Sequence, residues 1–458
     1  MMHSMPRLGP APARSRRLVA TATPPDADIT RPAPGTLLGS TLLVAGTTVG
    51  AGVLALPAKT LAAGFAPTAA TLLGAWVYMA SSGLLIAEVN VNTLCSLDRK
   101  AVSLSSMAEE TLGRPGAIAS SVAYAFIHYT LLVAYILQGG TLLLELLGGG
   151  GGVNVGAPAF AAALTSMLVL LRPAFVEAVN SVLVVGVVVS FLVLLGLGSS
   201  LLDPSLLAHV DVPAVVPAIP VMVLSLVYHN VVPTICYQLG CDMSRIRLAV
   251  VGGSLLPTLM FIAWSGIILG TVPYDAASAA ASAGETFDPL QLLRASGDGF
   301  GEVVRVFSLL AITTSFVGFY YGLTDFFADA LGFTANAAPD YGEKEEEEEE
   351  GAAAAASSGR PWDQTLLLSA LTVLPPLGVA LYDPTIFFEA LDNAGTYGIL
   401  TLFGIIPAAM AWSQRYSPES VTVVPEALPG GKASLALMMG SAGAIIGVET
   451  WERVTSVL

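Results

Sequence analysis

The chain has 458 residues, of which 54% are hydrophobic and only 12% are charged, with a mean hydropathy of +0.73 and a formal net charge of -15. Soluble globular domains carry about a quarter charged residues, because their surface faces water. This composition therefore excludes an ordinary soluble domain and indicates a polytopic membrane protein.

The first 35 residues differ from the rest of the chain. Four arginines precede the first acidic residue, Asp26, and Pro, Ala and Ser fill the gaps. This pattern is typical of an organelle transit peptide and lacks the apolar stretch of a secretory signal. We expect residues 1–35 to be a plastid transit peptide, which predicts a chloroplast inner envelope location. A disordered basic tail on a plasma-membrane protein is the alternative.

Eleven apolar runs follow, most of them near the roughly 20 residues that span a bilayer core. We name them TM1 to TM11. In chain order they cover residues 37–61, 66–91, 116–147, 158–171, 176–202, 215–239, 248–272, 303–331, 362–381, 386–412 and 435–451. TM4 has the weakest signal. The sequence therefore predicts an all-α protein with eleven transmembrane helices.

The runs divide the chain into parts. We expect 36–202 to form a first unit of five helices and 203–335 to contain TM6 to TM8 of a second unit. Residues 362–413 hold TM9 and TM10, and 414–458 a loop and TM11. Between them, 336–361 carries Glu343 and 345–350, seven glutamates that repel one another. This dense charge predicts a disordered acidic loop, with an acidic binding arm as the alternative.

Loop charges predict the orientation, because Lys and Arg are retained on the cytoplasmic face or its equivalent. With the N-terminus inside, ten loop cations lie on the inner side and three on the outer side. The inner ones are Arg99, Lys100, Arg114, Arg172, Arg245, Arg247, Lys344, Arg360, Arg415 and Lys432, and the outer ones are Arg294, Arg305 and Arg453.

TM1 contains AGTTVGAGVLALP, residues 45–57, with Gly46, Gly50 and Gly52 close together. Each glycine costs about 0.8 to 1 kcal/mol in a helix interior relative to alanine. Unwinding in lipid leaves backbone groups that cost several kcal/mol each unless water, an ion or a substrate completes them. The run predicts a broken helix at a binding site. Glycines that only allow close helix packing are the alternative.

TM6 contains a counterpart, LVYHNVVPTI, residues 226–235. Pro233 removes a backbone donor, and His229 and Asn230 lie near mid-span, where polar groups are expensive and face a cavity. TM1 and TM6 each open a five-helix half, as in inverted repeats with discontinuous helices around a central site. Half-helix N-termini would offer N–H groups to a carboxylate, and C-terminal carbonyls would face an ammonium group. Such a site suits a zwitterion.

Five stretches, in this order and spacing, resemble the aromatic amino acid permeases of the tryptophan/tyrosine permease family, its tyrosine-specific members in particular. They are LGSTLLVAGTTVGAGVLALP, PVMVLSLVYHNVVPTICYQLG, TTSFVGFYYGLTDFFAD, LPPLGVALYDP and IIPAAMAWSQR. The resemblance implies an eleven-span carrier of the five-plus-five inverted-repeat, LeuT-like fold. It also implies secondary active transport of an aromatic amino acid by alternating access, usually with protons.

Two backbone anchors are predicted for the substrate. The carboxylate would bind N–H groups in TM1, with hydroxyls nearby, from Thr47, Thr48, Val49, Gly50, Ala51 and Gly52. The ammonium group would bind carbonyls from Leu226 to Tyr228. These anchors recognise any amino acid, so selectivity requires a separate aromatic slot.

The slot is expected to draw on three helices. The aromatic and histidine side chains available are Tyr124, His128 and Tyr129 in TM3, Tyr228 and His229 in TM6, and Phe316, Phe319 and Tyr320 in TM8. We select Tyr129, Tyr228, His229, Asn230 and Phe316 as contacts, and treat Tyr135 and Phe326 as core. His229 matches the histidine that these permeases carry after an aromatic residue. Asn230 departs from the glycine that is common there.

Coupling requires a titratable or ion-binding group. Glu88 is an intramembrane acid, His229 changes charge near neutral pH, and Asp325 is a third candidate. Thr314 and Ser315 fall where related carriers hold sodium against TM1. The resemblance favours a proton, and sodium is the alternative. We expect Lys59 to reach an interface instead.

We expect no enzyme activity and no bound cofactor. Cys95, Cys236 and Cys241 have neither disulfide nor metal spacing, and the glycines at 148–152 lack the context of a phosphate loop. The expected partners are an amino acid and the lipid bilayer, without nucleic acid. The alternatives are a carrier for another neutral amino acid and a sensor that binds without transporting.

Overall fold

The computed structural model describes residues 35–97, 102–148, 152–275, 287–295, 299–333, 361–417 and 422–457. Secondary structure in these ranges is entirely helical. Ten of the described helices are long and apolar enough to cross a membrane, and a bent pair raises the number to eleven. The predicted all-α polytopic fold with broken TM1 and TM6 is confirmed. The predicted transit peptide and most of the acidic loop lie outside the described residues.

The spans follow the predicted order. TM1 consists of TM1a, Leu37–Thr48, and TM1b, Gly52–Thr60; TM2 is Phe65–Leu97, TM3 Leu104–Leu147, TM4 Val153–Leu170 and TM5 Pro173–Leu201. TM6 consists of TM6a, Ile219–Ser225, and TM6b, Val232–Gln238, with 3-10 turns at Pro213–Ala218 and His229–Val231. TM7 is Met243–Leu269, TM8 Gly299–Ala330, TM9 Trp362–Tyr382 and TM11 Gly431–Val457. Short helices Leu206–Ala208 and Pro289–Ala295 lie between spans.

Polar residues cap several helix starts. Thr36 accepts the Gly39 N–H at 3.0 Å, and Asp242 accepts the N–H groups of Ser244 and Arg245. These side chains satisfy backbone donors that a helix leaves unpaired at its N-terminus. TM3 begins earlier than predicted, because a short helix joins it through a kink at Gly113, whose φ of 71° disfavours other residues.

TM10 differs from the single α-helix that its apolar run predicts. Phe387–Asn393 leads into a π-helix, Ala394–Ile405, before Ile406–Tyr416 resumes as α-helix. At Gly395 any side chain would collide with the Pro220 backbone of TM6a. The wider π geometry is rare and occurs often at functional sites, and here it places a glycine backbone directly against TM6a.

The packing of the spans repeats at an offset of five. TM1 packs on TM7 as TM6 packs on TM2, and TM3 packs on TM10 as TM8 packs on TM5. TM3 also packs on TM4, as TM8 does on TM9. Since five crossings separate the members of each pair, TM1 and TM6 run in opposite directions. This arrangement of neighbours is the one that a five-plus-five inverted repeat requires.

Candidate functional site

TM1 breaks at Val49, Gly50 and Ala51, where its two halves bend by 55°. The break is shorter than the predicted Thr47 to Gly52. Thr47 and Thr48 end TM1a, and their hydroxyls donate to carbonyls one turn earlier at 2.8 Å each. Their oxygens can therefore only accept further hydrogen bonds. Backbone N–H groups at the start of TM1b remain the natural donors to an anion.

TM6 breaks at Leu226, Val227 and Tyr228, in the stretch predicted from sequence. The Leu226 N–H closes the last turn of TM6a onto Val223, and the Tyr228 carbonyl accepts from Val231 at 3.1 Å. Pro233 is the second residue of TM6b. A missing N–H costs little in the first turn of a helix, so Pro233 helps to start the second half-helix.

The two breaks lie side by side. A Cβ atom on Gly52 would lie 3.0 Å from the Ser225 Oγ and 3.2 Å from the Ser225 Cα. A side chain at this position would press on Ser225, so the glycine favours this close approach between the start of TM1b and the end of TM6a. The contact places the N–H end of one half-helix beside the carbonyl end of another, with the opposite partial charges that a zwitterion requires.

TM8 and TM3 support the break in TM1. The Ala51 N–H donates to the Ser315 Oγ at 2.9 Å, and the Tyr135 hydroxyl also interacts with Ser315. Thr314 donates to the carbonyls of Leu310 and Ala311 in its own helix. Ser315 thus lies against TM1, where the resemblance placed it. Tyr135, assigned to the core from sequence, is beside the site; its position on the same helical face as His128 was the available signal.

TM2 and TM10 support the break in TM6. The Tyr228 hydroxyl and the His229 Nε2 both donate to the Met79 carbonyl of TM2, at 3.2 Å and 3.1 Å. The His229 ring stacks between Tyr228 and Phe403, with ring centroids 4.6 Å away on either side. Both side chains are buried, whereas Asn230 is exposed. The His229 Nδ1 is buried without a hydrogen-bond partner among the described residues.

Two of the predicted slot residues lie elsewhere. Tyr129 donates its hydroxyl to the Leu371 carbonyl of TM9 at 2.8 Å. The Phe316 ring is fully buried and packs edge-on against Phe160 of TM4, with centroids 5.8 Å apart. These contacts are with TM9 and TM4, and neither of them involves TM1 or TM6. Sequence spacing does not determine the rotation of a helix about its axis, so this could not be predicted.

A different set of rings extends from the break between TM3 and TM8. Tyr135 contacts Phe319 at 5.6 Å, Phe319 contacts His128 at 4.8 Å, and His128 contacts Tyr124 at 4.0 Å, measured between centroids. Phe326 continues the row beyond Tyr124. Three of the side chains considered for the aromatic slot, Tyr124, His128 and Phe319, therefore belong to a row of rings that is continuous with the TM1 break.

Glu88 forms a closed ion pair. Its carboxylate accepts hydrogen bonds from the Arg415 Nε at 2.7 Å, the Arg415 Nη2 at 2.6 Å and the Ala427 N–H at 2.6 Å. Both side chains of the pair are at most 3% exposed. Nearby, the side-chain oxygen of Asn92 accepts hydrogen bonds from the backbone N–H groups of Val423 and Val424. The end of TM2 therefore holds TM10 and the segment that leads to TM11.

Lys59 forms an ion pair with Asp392 of TM10, and does not simply reach a membrane interface as expected. The pair joins TM1b to TM10 and is partly buried. The ammonium also lies 5.8 Å from the centre of the Phe388 ring. As with Glu88, the partner is more than 300 positions away in sequence, and this distance hides it from local patterns.

The two halves of the site differ in packing. TM6a is buried along its whole helix except its first residue, and Trp264 donates to the Val53 carbonyl of TM1b at 3.2 Å. By contrast, Gly46 of TM1a and Asn230 and Thr234 of TM6b are exposed. TM1b and TM6a are therefore the more closely packed half of the site, although the Ser40 hydroxyl of TM1a still donates to the Gln238 side-chain oxygen of TM6b at 3.1 Å.

Comparison with known proteins identifies related sequences. A model of the tryptophan/tyrosine permease family matches residues 34–340 and 362–449. "Tyrosine-specific transport system 2" of Haemophilus influenzae is 29% identical over 412 residues, covering 88% of this chain and 93% of the relative. "Tyrosine-specific transport system 1" of the same organism is 27% identical over 408 residues, with the same coverage. "Tryptophan-specific transport protein" of Pseudomonas aeruginosa is 26% identical over 392 residues, covering 83% and 86%.

Proposed function

The chain belongs to the tryptophan/tyrosine permease family, and on this premise we propose that it is a secondary active transporter of aromatic amino acids with tyrosine as its substrate. Its relatives include tyrosine-specific and tryptophan-specific transport proteins that match it over most of its length. The structural observation that carries the proposal is the close contact between the TM1 and TM6 breaks at Gly52 and Ser225. That contact supports a site for a molecule with both charges.

The proposed anchors use backbone groups. The substrate carboxylate binds backbone N–H groups at the start of TM1b, where the helix dipole is positive. The Ala51 N–H already donates to Ser315 and serves to hold the break. The ammonium group binds the carbonyls of Leu226 and Val227, since the Tyr228 carbonyl already accepts from Val231.

Alternating access follows from the difference between the two halves. In the predicted orientation TM1b and TM6a face outward, so the closely packed half of the site is the outer one. Transport requires that TM1b and TM6a separate from their neighbours while TM1a and TM6b close around the substrate. The Lys59–Asp392 pair on the closely packed side must then break in each cycle.

A proton is the proposed coupling ion, with His229 as its site. The Nδ1 of His229 is a buried acceptor without a protein partner among the described residues, while Nε2 is bonded to Met79. A proton on Nδ1 would charge a ring that contacts Tyr228 and Phe403. Sodium is the alternative, since the Ser315 hydroxyl lies against TM1.

The proposed location is the inner envelope of the chloroplast, supported by the arginine-rich, acid-poor composition of residues 1–35. Integral membrane location itself follows from the family and the apolar helices. A fluorescent fusion of the full chain tests the finer assignment. Signal at the plastid envelope is expected, and signal at the plasma membrane would reject the transit peptide.

Uptake by purified protein in proteoliposomes tests the transport proposal. Radiolabelled tyrosine should accumulate, and unlabelled tyrosine, tryptophan and phenylalanine should compete better than leucine. An imposed pH gradient should raise accumulation, whereas dependence on a sodium gradient would favour the alternative ion. Saturable binding without accumulation would identify a sensor, and indifference to aromatic competitors would overturn the aromatic assignment.

A further inference from the structure

TM3 presents His128 to TM8 on one face of its helix. Tyr124 lies one turn before His128 and Tyr135 two turns after it, so all three share this face. The His128 ring lies between Tyr124 and Phe319, with centroids 4.0 Å and 4.8 Å away. Its side chain is 8% exposed. The ring is therefore nearly enclosed, and its orientation is held on two sides.

The hydrogen bond of the ring determines which nitrogen carries the proton. The Nδ1 of His128 lies 2.8 Å from the Tyr124 carbonyl oxygen, which can only accept, so Nδ1 donates. In the neutral ring the lone pair is then on Nε2. No described residue forms a hydrogen bond with Nε2. The ring therefore offers an acceptor that the protein itself does not use.

The surface of TM8 opposite this acceptor lacks side chains. A Cβ atom on Gly322 would lie 2.8 Å from Nε2 and 3.0 Å from the Tyr124 hydroxyl oxygen, so a larger residue would displace both. One turn earlier, Gly318 is exposed, and a Cβ atom there would meet nothing within 4 Å. Gly322 therefore lets the His128 ring lie against the TM8 backbone, and Gly318 leaves open surface one turn nearer to the TM1 break.

The open surface at Gly318 lies close to the TM1 break along TM8. Ser315, which accepts the Ala51 N–H, precedes Gly322 by seven residues, or about 10 Å along an α-helix. A tyrosine molecule measures roughly 9 Å from its carboxylate to its phenol oxygen, from standard bond lengths. With the carboxylate at the start of TM1b, the ring would lie beside Phe319 and its hydroxyl would reach the level of His128.

We infer that His128 accepts a hydrogen bond from the phenolic hydroxyl of bound tyrosine and thereby selects tyrosine over phenylalanine. This inference rests on the proposed function and names the group that reads the substrate side chain. Phenylalanine would leave Nε2 without a hydrogen-bond partner, and a site built around a hydroxyl discriminates against analogues that lack it. The N–H of tryptophan lies closer to its backbone than the tyrosine hydroxyl does.

Competition measurements on two variants test the inference. Wild-type protein in proteoliposomes should prefer tyrosine to phenylalanine by about tenfold, the upper range of one hydrogen bond. His128→Leu should weaken the binding of tyrosine and so bring this ratio close to one, while phenylalanine uptake is retained. Tyr129→Phe is the matched control, because it removes a hydroxyl from the adjacent residue on the TM9 side. It should leave the ratio unchanged.

The substrate can be varied instead, which keeps the test valid where His128→Leu does not fold. O-Methyltyrosine retains the oxygen and lacks the donor hydrogen, so it should compete no better than phenylalanine against wild-type protein. The assignment would be overturned if O-methyltyrosine competes as well as tyrosine does. It would also be overturned if folded His128→Leu keeps the wild-type ratio of tyrosine to phenylalanine. Absence of aromatic uptake in wild type would instead reject the proposed function, and the two failures are thus distinguishable.

Discussion

Replacing Glu88 with glutamine removes the charge from the best-connected ion pair among the described residues of the membrane region. The native carboxylate accepts three hydrogen bonds of 2.6 to 2.7 Å, two from Arg415 and one from the Ala427 backbone. A glutamine amide keeps one oxygen and turns an N–H donor toward groups that are donors themselves. Both charged side chains are nearly excluded from water.

The expected cost follows from this geometry. Removing one partner of a buried pair costs about 3 to 5 kcal/mol. Because Arg415 keeps a second contact with Glu426, at 3.1 Å, we expect Glu88→Gln to lower the free energy of unfolding by about 3 kcal/mol. Glu426 is 50% exposed, so Glu426→Gln should cost less than about 1 kcal/mol.

Denaturation in a fixed detergent, followed by circular dichroism, measures both variants under one condition. If Glu88→Gln lowers the free energy of unfolding no more than Glu426→Gln does, the buried ion pair does not provide the expected stability. Uptake by the surviving folded fraction supplies a second readout, because Glu88 was also a candidate for coupling. If the pair is structural, the stimulation by a pH gradient should persist in Glu88→Gln. Loss of that stimulation in a stable variant would assign the coupling proton to Glu88.

Three further changes have distinct expected outcomes. Gly52→Val should abolish tyrosine uptake, since its side chain collides with TM6a, while Gly46→Val, where a Cβ meets nothing within 4 Å, should retain it. Lys59→Met leaves a partly buried acid unpaired and should lower the unfolding free energy by about 1 to 3 kcal/mol; adding Asp392→Asn should recover part of that loss in the same denaturation assay. Burial raises the pKa of Asp288, which lies between TM7 and TM8, above its ordinary 3.8. Its contribution to stability is thus present below pH 3.8 and lost as pH rises through the raised pKa, so Asp288→Asn should flatten the pH dependence of thermal unfolding in that window.

Local patterns predicted the parts of this fold that depend on local chemistry. Apolar runs of bilayer length identified all eleven spans, because lipid requires continuous apolar helices. The glycines of TM1 and the HNVVP stretch of TM6 identified both breaks, since these residues weaken a helix wherever they occur. Local patterns did not predict the π-helix in TM10. It depends on the approach of Gly395 to TM6a, a contact between segments distant in sequence.

Side-chain direction was the second limit. His229 was expected in the aromatic slot, and the structure turns its Nε2 to Met79 of TM2 and stacks its ring on Phe403 of TM10. His128, on TM3, instead lies in the row of rings that begins at the TM1 break. Both histidines are mid-span and next to aromatic residues in sequence. Only the packing of whole helices separates their environments, so no local pattern could rank them.

The contrast between these two histidines bears on mechanism. Each donates a hydrogen bond from one ring nitrogen to a backbone carbonyl. The other ring nitrogen has no hydrogen-bond partner among the described residues. At His229 the remaining nitrogen is sealed between two rings, where a proton would be held apart from the substrate. At His128 it lies beside Gly322 of TM8, one turn from the open surface at Gly318. Under the proposed mechanism, His229 serves coupling at the TM6 break and His128 serves selectivity beyond the TM1 break. Substitution of each should then affect a different measurement: the response to a pH gradient for His229, and the ratio of tyrosine to phenylalanine for His128.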